Sequence, residues 1–280
     1  MARALEPAAA GEKRIARIGI WSYETDGASY SAGNGKDTLT VSLQWSFGQG
    51  SAGKTWLYRR GGAWYESMVS YFSALNGLDT TMGDQSIAPR NPGEAAGRLL
   101  PASEAMKCFD CHATGVVKTP ELDLSKMAPG VQCERCHGPA EGHLNGSRMR
   151  SLRPLSTEET SDFCGECHRT WSQVSINGPR GVQNVRFQPY RLALSRCYDT
   201  VDKRIACTAC HDPHRDLDTR PASYDAKCLA CHATAAREHC PVSKQNCITC
   251  HMPETELPGA HRKFTDHRIR IVKAGESYPD

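Results

Sequence analysis

The pattern Cys-x-x-Cys-His occurs six times between Cys108 and His251, and no other feature limits so strongly what this chain can fold into. The copies are Cys108-Phe109-Asp110-Cys111-His112, Cys133-Glu134-Arg135-Cys136-His137, Cys164-Gly165-Glu166-Cys167-His168, Cys207-Thr208-Ala209-Cys210-His211, Cys228-Leu229-Ala230-Cys231-His232 and Cys247-Ile248-Thr249-Cys250-His251. Two thiols three residues apart, followed at once by an imidazole, form the attachment site of a c-type haem. The thiols bond to the vinyl groups and the imidazole takes the iron. Zinc sites and redox dithiols also use paired cysteines, but neither needs a histidine after the second cysteine in every copy. A disulfide between residues three apart is tight and has no use for the histidine. The expectation is therefore six covalently attached haems c per chain.

A length of 280 residues allows one or two domains, and 39% hydrophobic with 7% aromatic residues is thin for a large apolar core. Six haems would supply flat apolar bodies for the chain to wrap. They also change the charge. With both propionates ionised, each oxidised haem adds about −1 and each reduced one about −2, so the formal +3 becomes about −3 or about −9. Excess Lys and Arg then serve to neutralise propionates rather than bind nucleic acid, and no Lys/Arg run interleaved with aromatics argues otherwise.

Thioether attachment takes place outside the bacterial cytoplasmic membrane, and 14 cysteines suit an oxidising compartment. The expected location is periplasmic or extracellular. Residues 1–11 have no apolar stretch of signal-peptide type and are read as an export-signal remnant or a disordered start. No apolar run reaches 18 residues, so no membrane span is expected.

Residues 12–75 contain no cysteine or histidine and alternate apolar with polar positions in Ile15–Tyr23, Leu39–Phe47, Thr55–Arg60 and Ala63–Tyr71. Turns at Gly33-Asn34-Gly35 and Gly61-Gly62 separate these segments, predicting a small antiparallel β unit of four or more strands. It reads as a structural cap or as a docking surface. Residues 76–105, with Pro89, Pro92, Gly93, Gly97 and Pro101, read as a linker with one helical piece over Pro92–Leu100. Residues 106–280 form the haem-bearing domain. Its motifs begin 25, 31, 43, 21 and 19 residues apart, which leaves room for short helices and wrapping loops only. Ser156 and Glu159 give a capping box ahead of the third motif. In the long gap before the fourth, Arg186 and Arg191 are read either as solvated or as holding propionates. The fold class is thus a multihaem cytochrome c: an N-terminal antiparallel β unit, then a loop-rich, short-helix domain around six haems.

Six irons need six proximal ligands, and His112, His137, His168, His211, His232 and His251 supply them. Of 11 histidines, five remain as candidate distal ligands: His143, His214, His239, His261 and His267. His239, beside Cys240, reads equally as a plain surface residue. At most five haems can be bis-histidine, so at least one has another sixth ligand or an open face. Met82, Met106, Met127 and Met252 are available, as is a cysteine. The two cysteines outside the motifs, Cys197 and Cys240, are expected to form a disulfide, with ligation the lesser alternative.

Over residues 105 to 272 the chain resembles the bacterial multihaem cytochromes c related to cytochrome c nitrite reductase and hydroxylamine oxidoreductase. The resemblance rests on Cys133-Glu134-Arg135-Cys136-His137-Gly138-Pro139 with His143 behind it, Cys210-His211-Asp212-Pro213-His214, Cys250-His251-Met252-Pro253 and Phe264-Thr265-Asp266-His267-Arg268. It implies haems stacked in parallel and perpendicular pairs. The chain departs from the nitrite reductases in having no Cys-x-x-Cys-Lys motif, and nothing singles out a tyrosine of the kind that hydroxylamine oxidoreductases cross-link to their catalytic haem.

The function expected is electron transfer to and from other redox proteins, by a monomer, a homo-oligomer or a filament. The alternative is an oxidoreductase acting on a small nitrogen or sulfur species at the haem without a distal histidine. If the haems form the interior of residues 106–280, the chain expressed without haem-attachment machinery will not fold there. Limited proteolysis is expected to degrade that half of the apoprotein rapidly, and a compact, protease-resistant product would refute the expectation.

Overall fold

A computed structural model describes residues 4–48, 50–118, 122–233 and 240–279. They divide into two units: Met1–Arg150 with Pro258–Arg262, and Ser151–Leu257 with Lys263–Asp280.

The first unit is built on antiparallel strands, as the alternation predicts. Strands β1 (Leu5–Pro7), β2 (Arg14–Ile18), β3 (Trp21–Thr25), β4 (Ser29–Gly33), β5 (Thr38–Ser42), β6 (Trp45–Phe47), β7 (Gly53–Arg60), β8 (Ala63–Ser67), β9 (Val69–Phe72) and β10 (Gly77–Thr80) follow one another. Then come helix α1 (Pro92–Ala96) and strand β11 (Gly97–Leu100). One sheet has the order β2-β3-β4-β5; the other runs β1-β6-β7-β8-β11, with β9 on β7 and β10 on β9. The segment Ile15–Tyr23 is not one strand but two, because Gly19 takes a φ of +59° and reverses the chain. Leu39–Phe47 also divides. The Leu43 N–H bonds the Ala28 carbonyl and the next N–H, of Gln44, bonds that of Leu57, so the chain leaves one sheet for the other at this point. Gly61-Gly62, both at positive φ, close the β7–β8 hairpin as expected.

Residues 76–105, expected as a linker, contribute two strands to this unit, since β10 pairs with β9 and β11 with β8. The helical piece ends at Ala96. Gly97 is required where β11 crosses β8: a Cβ there would collide with the Glu66 carbonyl and the Tyr58 hydroxyl.

Two apolar clusters fill this unit. Trp21, Tyr23, Tyr30 and Ala32 pack with Trp56, Tyr58, Met68, Val69, Leu78 and the α1 residues Ala95 and Ala96. The second cluster joins Leu5, Phe47, Leu57, Trp64 and Leu100 to Ala105 and Phe109 of helix α2 (Ala102–His112). The Phe109 ring meets Trp45 at 5.8 Å, Phe47 at 5.2 Å and Trp64 at 5.6 Å, edge-on or tilted. Phe109 stands inside the first Cys-x-x-Cys-His motif, so the sheet holds that motif directly. Short ladders follow, with β12 (Ala113–Thr114) on β15 (Ala128–Pro129) and β13 (Val117–Lys118) on β14 (Leu122–Asp123), then helices α3 (Cys133–His137) and α4 (Glu141–Leu144).

The second unit consists of short helices: α5 (Thr157–His168), α6 (Trp171–Asn177), α7 (Gln188–Ala193), α8 (Cys207–Cys210), α9 (Asp225–His232) and α10 (Cys247–His251). Strands β16 (Glu254–Leu257) and β17 (Arg262–Thr265) pair with each other. The expected capping box starts α5, with the Glu159 N–H donating to Ser156 Oγ and the Ser156 N–H to the Glu159 carboxylate. Few apolar side chains of this unit are buried among the described residues: Val174, Val185, Tyr190, Leu192, Ala206 and Leu257. Among the described residues no helix is long and apolar enough to cross a membrane.

Replacing Phe109 by Ala removes the ring that three aromatic neighbours enclose. The substitution is expected to destabilise the first unit by about 3–5 kcal/mol. Its denaturant midpoint, followed by circular dichroism, should fall accordingly, and an unchanged midpoint would show that the ring does not anchor the motif.

Candidate haem-binding sites

All six motifs lie on helical turns. The first, third and fifth end α2, α5 and α9, the second and sixth are α3 and α10 themselves, and the fourth is α8 with His211 just beyond it. A helical turn places the two thiols, three residues apart, on one face, and the next residue carries the imidazole. Asp225, at the start of α9, reaches the sixth motif. Its carboxylate accepts the N–H groups of Asn246 and Cys247 at 2.8 and 2.9 Å, where α10 begins.

A ligating imidazole must be held in one orientation, and backbone carbonyls anchor several of the rings here. Nδ1 of His112 lies 3.0 Å from the Ala4 carbonyl oxygen, that of His137 2.8 Å from Arg150 O, and that of His251 2.8 Å from Arg270 O. Among the expected distal ligands, His143 makes the same bond to Ser147 O at 3.1 Å and His267 to Thr265 O at 3.0 Å. A carbonyl oxygen can only accept, so Nδ1 carries the proton and Nε2 the lone pair, the arrangement of metal-bound histidines.

In the second unit the motifs come together in sequence order. Cys164 of the third motif hydrogen-bonds with Cys207 of the fourth and draws that thiol below its ordinary value. The His211 ring is 5.6 Å from Tyr224, which immediately precedes α9. Cys228 of the fifth motif hydrogen-bonds with Cys247 of the sixth, whose thiol burial pushes up to about 12. The His211 and His267 rings have centres 6.2 Å apart and are tilted by 42° to one another. Metal–nitrogen bonds of about 2 Å, with each nitrogen about 1 Å from its ring centre, put two imidazoles about 6 Å apart across one metal. Burial pushes the His267 imidazole down to about 4, with His211 and His168 adding to the effect, and burial also lowers His211. Both are therefore neutral and able to ligate near pH 7.

In the first unit, a cavity of 330 Å³ is lined by Asp110 of the first motif, by Ala113 and Thr114 after it, and by Glu134, Arg135 and Pro139 in and after the second. Among the described residues no three His, Cys, Asp or Glu side chains converge to hold a bare metal ion. Paired thiols beside carbonyl-anchored imidazoles suit covalent haem.

The remaining sequence expectations divide. His214 is exposed, with Nδ1 3.3 Å from Asp212 Oδ1. His261 is engaged through the other nitrogen, Nε2 lying 2.8 Å from Asp79 Oδ2, while its ring stands edge-on to Phe72 at 4.7 Å. His239 lies outside the described residues. Cys197 and Cys240 are unbridged and exposed. Arg191 does not reach outward to a propionate. It is fully buried and its guanidinium forks onto Asp266, Nε to Oδ1 and Nη2 to Oδ2, both at 2.9 Å. Sequence reading missed that pair. The only signal was Asp266 beside His267 in Phe264-Thr265-Asp266-His267-Arg268.

Residues 80–138, which contain the first two motifs, match the family described as cytochrome c554 and c-prime. The multiheme cytochrome MtrA of Shewanella baltica is 27% identical over 201 residues, 54% of this chain and 60% of MtrA. The cytochrome c-type protein NrfB of Escherichia coli O6:H1 is 26% identical over 172 residues, 57% of this chain and 79% of NrfB. The dissimilatory sulfite reductase MccA of Wolinella succinogenes is 25% identical over 174 residues, 48% of this chain and 23% of MccA. The matched region thus spans less than two thirds of MtrA and under a quarter of MccA. Since the cytochrome c554 match falls on motifs whose thiols and imidazoles are already arranged for covalent haem, this chain is a bacterial multihaem c-type cytochrome that binds haem c.

Proposed function

We propose that the chain transfers electrons through six covalently attached haems c, most of them bis-histidine, and exchanges them with other redox proteins in the periplasm or outside the cell. The observation that carries this reading is the close succession of the third to sixth motifs: Cys164 against Cys207, His211 against Tyr224, and Cys228 against Cys247. Bound haem c supplies reversible one-electron chemistry at iron. The chain's part is to fix each site. Paired thiols on a helical turn hold two edges of the cofactor, and the imidazoles of His112, His137, His168, His211, His232 and His251 ligate from one side. The Ala4, Arg150 and Arg270 carbonyls set the tautomer and raise the basicity of three of them. His267, whose ring centre lies 6.2 Å from that of His211, would supply the second imidazole of that site and keep small molecules off a bound iron. NrfB and MtrA are named as cytochromes, which agrees with a carrier role. Such a carrier can act singly or as a filament with end sites meeting across subunits.

A second reading follows from the histidine count. Six proximal histidines leave five of 11, so at least one iron has no distal histidine from this chain. An open iron there would make the protein an oxidoreductase for a small nitrogen or sulfur species, and MccA is named a sulfite reductase. Low-temperature electron paramagnetic resonance of the oxidised protein, together with haem quantification, tests both. Six haems per chain with wholly low-spin signals indifferent to nitrite, sulfite, hydroxylamine and cyanide are expected. A high-spin ferric signal that shifts with one of these would overturn the carrier reading in favour of the enzyme.

A further inference from the structure

We propose that Arg191 is a positioning residue for axial ligation at His267, and that its ion pair with Asp266 keeps this iron closed to small ligands. The proposal rests on His267 being an axial ligand, as read above. Asp266 is the residue immediately before His267, and every hydrogen bond it makes restrains the turn that presents the imidazole. Arg191 and Asp266 are fully buried and joined by two parallel bonds of 2.9 Å. Arg270 Nη1 donates to Oδ2 at 2.7 Å, the Arg268 N–H donates to Oδ1 at 3.0 Å, and the Asp266 N–H donates to the Pro253 carbonyl at 3.0 Å.

The same stretch of chain grips the far side of His267. Ser195 Oγ donates to the His267 carbonyl at 3.2 Å and accepts the Ile269 N–H at 2.8 Å. Residues 191 and 195 therefore hold the peptide on both sides of the ligand. Arg191 is fixed in turn, since Nη1 donates to the Pro279 carbonyl at 2.9 Å and to Asn184 Oδ1 at 3.3 Å. The Tyr278 hydroxyl donates to that same Asn184 oxygen at 2.7 Å, and the Tyr278 ring lies 4.6 Å from the guanidinium.

A buried ion pair contributes little net stability compared with apolar residues of the same volume, but it fixes a register well. This one fixes the register of a ligand. Only a planar fork can bind both carboxylate oxygens in parallel, so Lys cannot replace Arg here without loosening the turn.

The test measures carbon monoxide binding to the dithionite-reduced, fully haemylated protein. His267→Ala is expected to bind carbon monoxide at about one more haem per chain than the parent. Arg191→Lys should raise carbon monoxide binding at that same haem about 10- to 100-fold, the usual cost of disturbing a ligand's hydrogen-bonded support. The double variant should then gain nothing beyond His267→Ala, because both changes open one site. A lesion of structure alone would not single out one haem. If Arg191→Lys fails to accumulate as holoprotein, Tyr278→Phe removes one hydroxyl from the network and is expected to raise binding a few-fold at the His267 haem. Parent-like binding in folded Arg191→Lys, or in Tyr278→Phe where that variant stands in, overturns the proposal while leaving the ligand assignment intact. Parent-like binding in His267→Ala overturns both.

Discussion

The constraint on which the structure depends is the tautomer of its histidines. An imidazole ligates through a lone pair, and in a neutral ring that lone pair is fixed on Nε2 by giving Nδ1 an acceptor. The acceptors here are backbone carbonyls, some supplied from far along the chain. Ala4, which serves His112, is 108 residues earlier in sequence. It immediately precedes β1, which pairs with β6, and the Phe47 side chain of β6 lies 5.3 Å from the His112 ring. The outer strand of the sheet thus has a chemical duty as well as a structural one. Arg150 and Arg270 serve His137 and His251 from loops that have no regular structure of their own.

The two units meet this constraint with different interiors. The first has two apolar clusters rich in Trp, Tyr and Phe, and its strands are long enough to alternate cleanly. The second has helices of 4 to 12 residues, below the length at which a helix persists alone in water. Polar anchors take over there: capping boxes at Ser156 and Thr170, the Asp225 carboxylate at α10, and the buried Arg191–Asp266 pair. A segment with so few buried apolar side chains is one that bound haem would complete, as proposed above.

Much of this was legible in the sequence because its signals are local. Six motifs, the Ser156–Glu159 box and the Gly61-Gly62 turn each act within a few residues; the motifs lie on helical turns, and the box and the turn are found as read. Signals that depend on distant partners were not legible. Ile15–Tyr23 alternates without interruption, and only the conformation at Gly19 shows that it is a hairpin. The Pro- and Gly-containing stretch 76–105 reads as a linker until β8 and β9 provide edges for β11 and β10. Arg191 stands among aromatics and another arginine, a composition typical of a surface. Its buried partner is 75 residues away.

The histidines left over after the motifs sort by the nitrogen they use. His143 and His267 bind carbonyls through Nδ1, so their tautomer matches that of the proximal ligands. His261 binds Asp79 through Nε2, at a backbone φ of +49°, in the left-handed region that histidine shares with asparagine and aspartate. One nitrogen cannot hold a carboxylate and an iron together, so a haem served by His261 must displace Asp79 or accept Nδ1. Each alternative has a cost that His267 does not face. Histidine count therefore sets an upper bound on bis-histidine sites, and hydrogen bonding decides how far below that bound the protein lies. The number of irons with an exchangeable sixth position, on which the choice between carrier and enzyme turns, is then fixed by carbonyls and carboxylates rather than by the motifs.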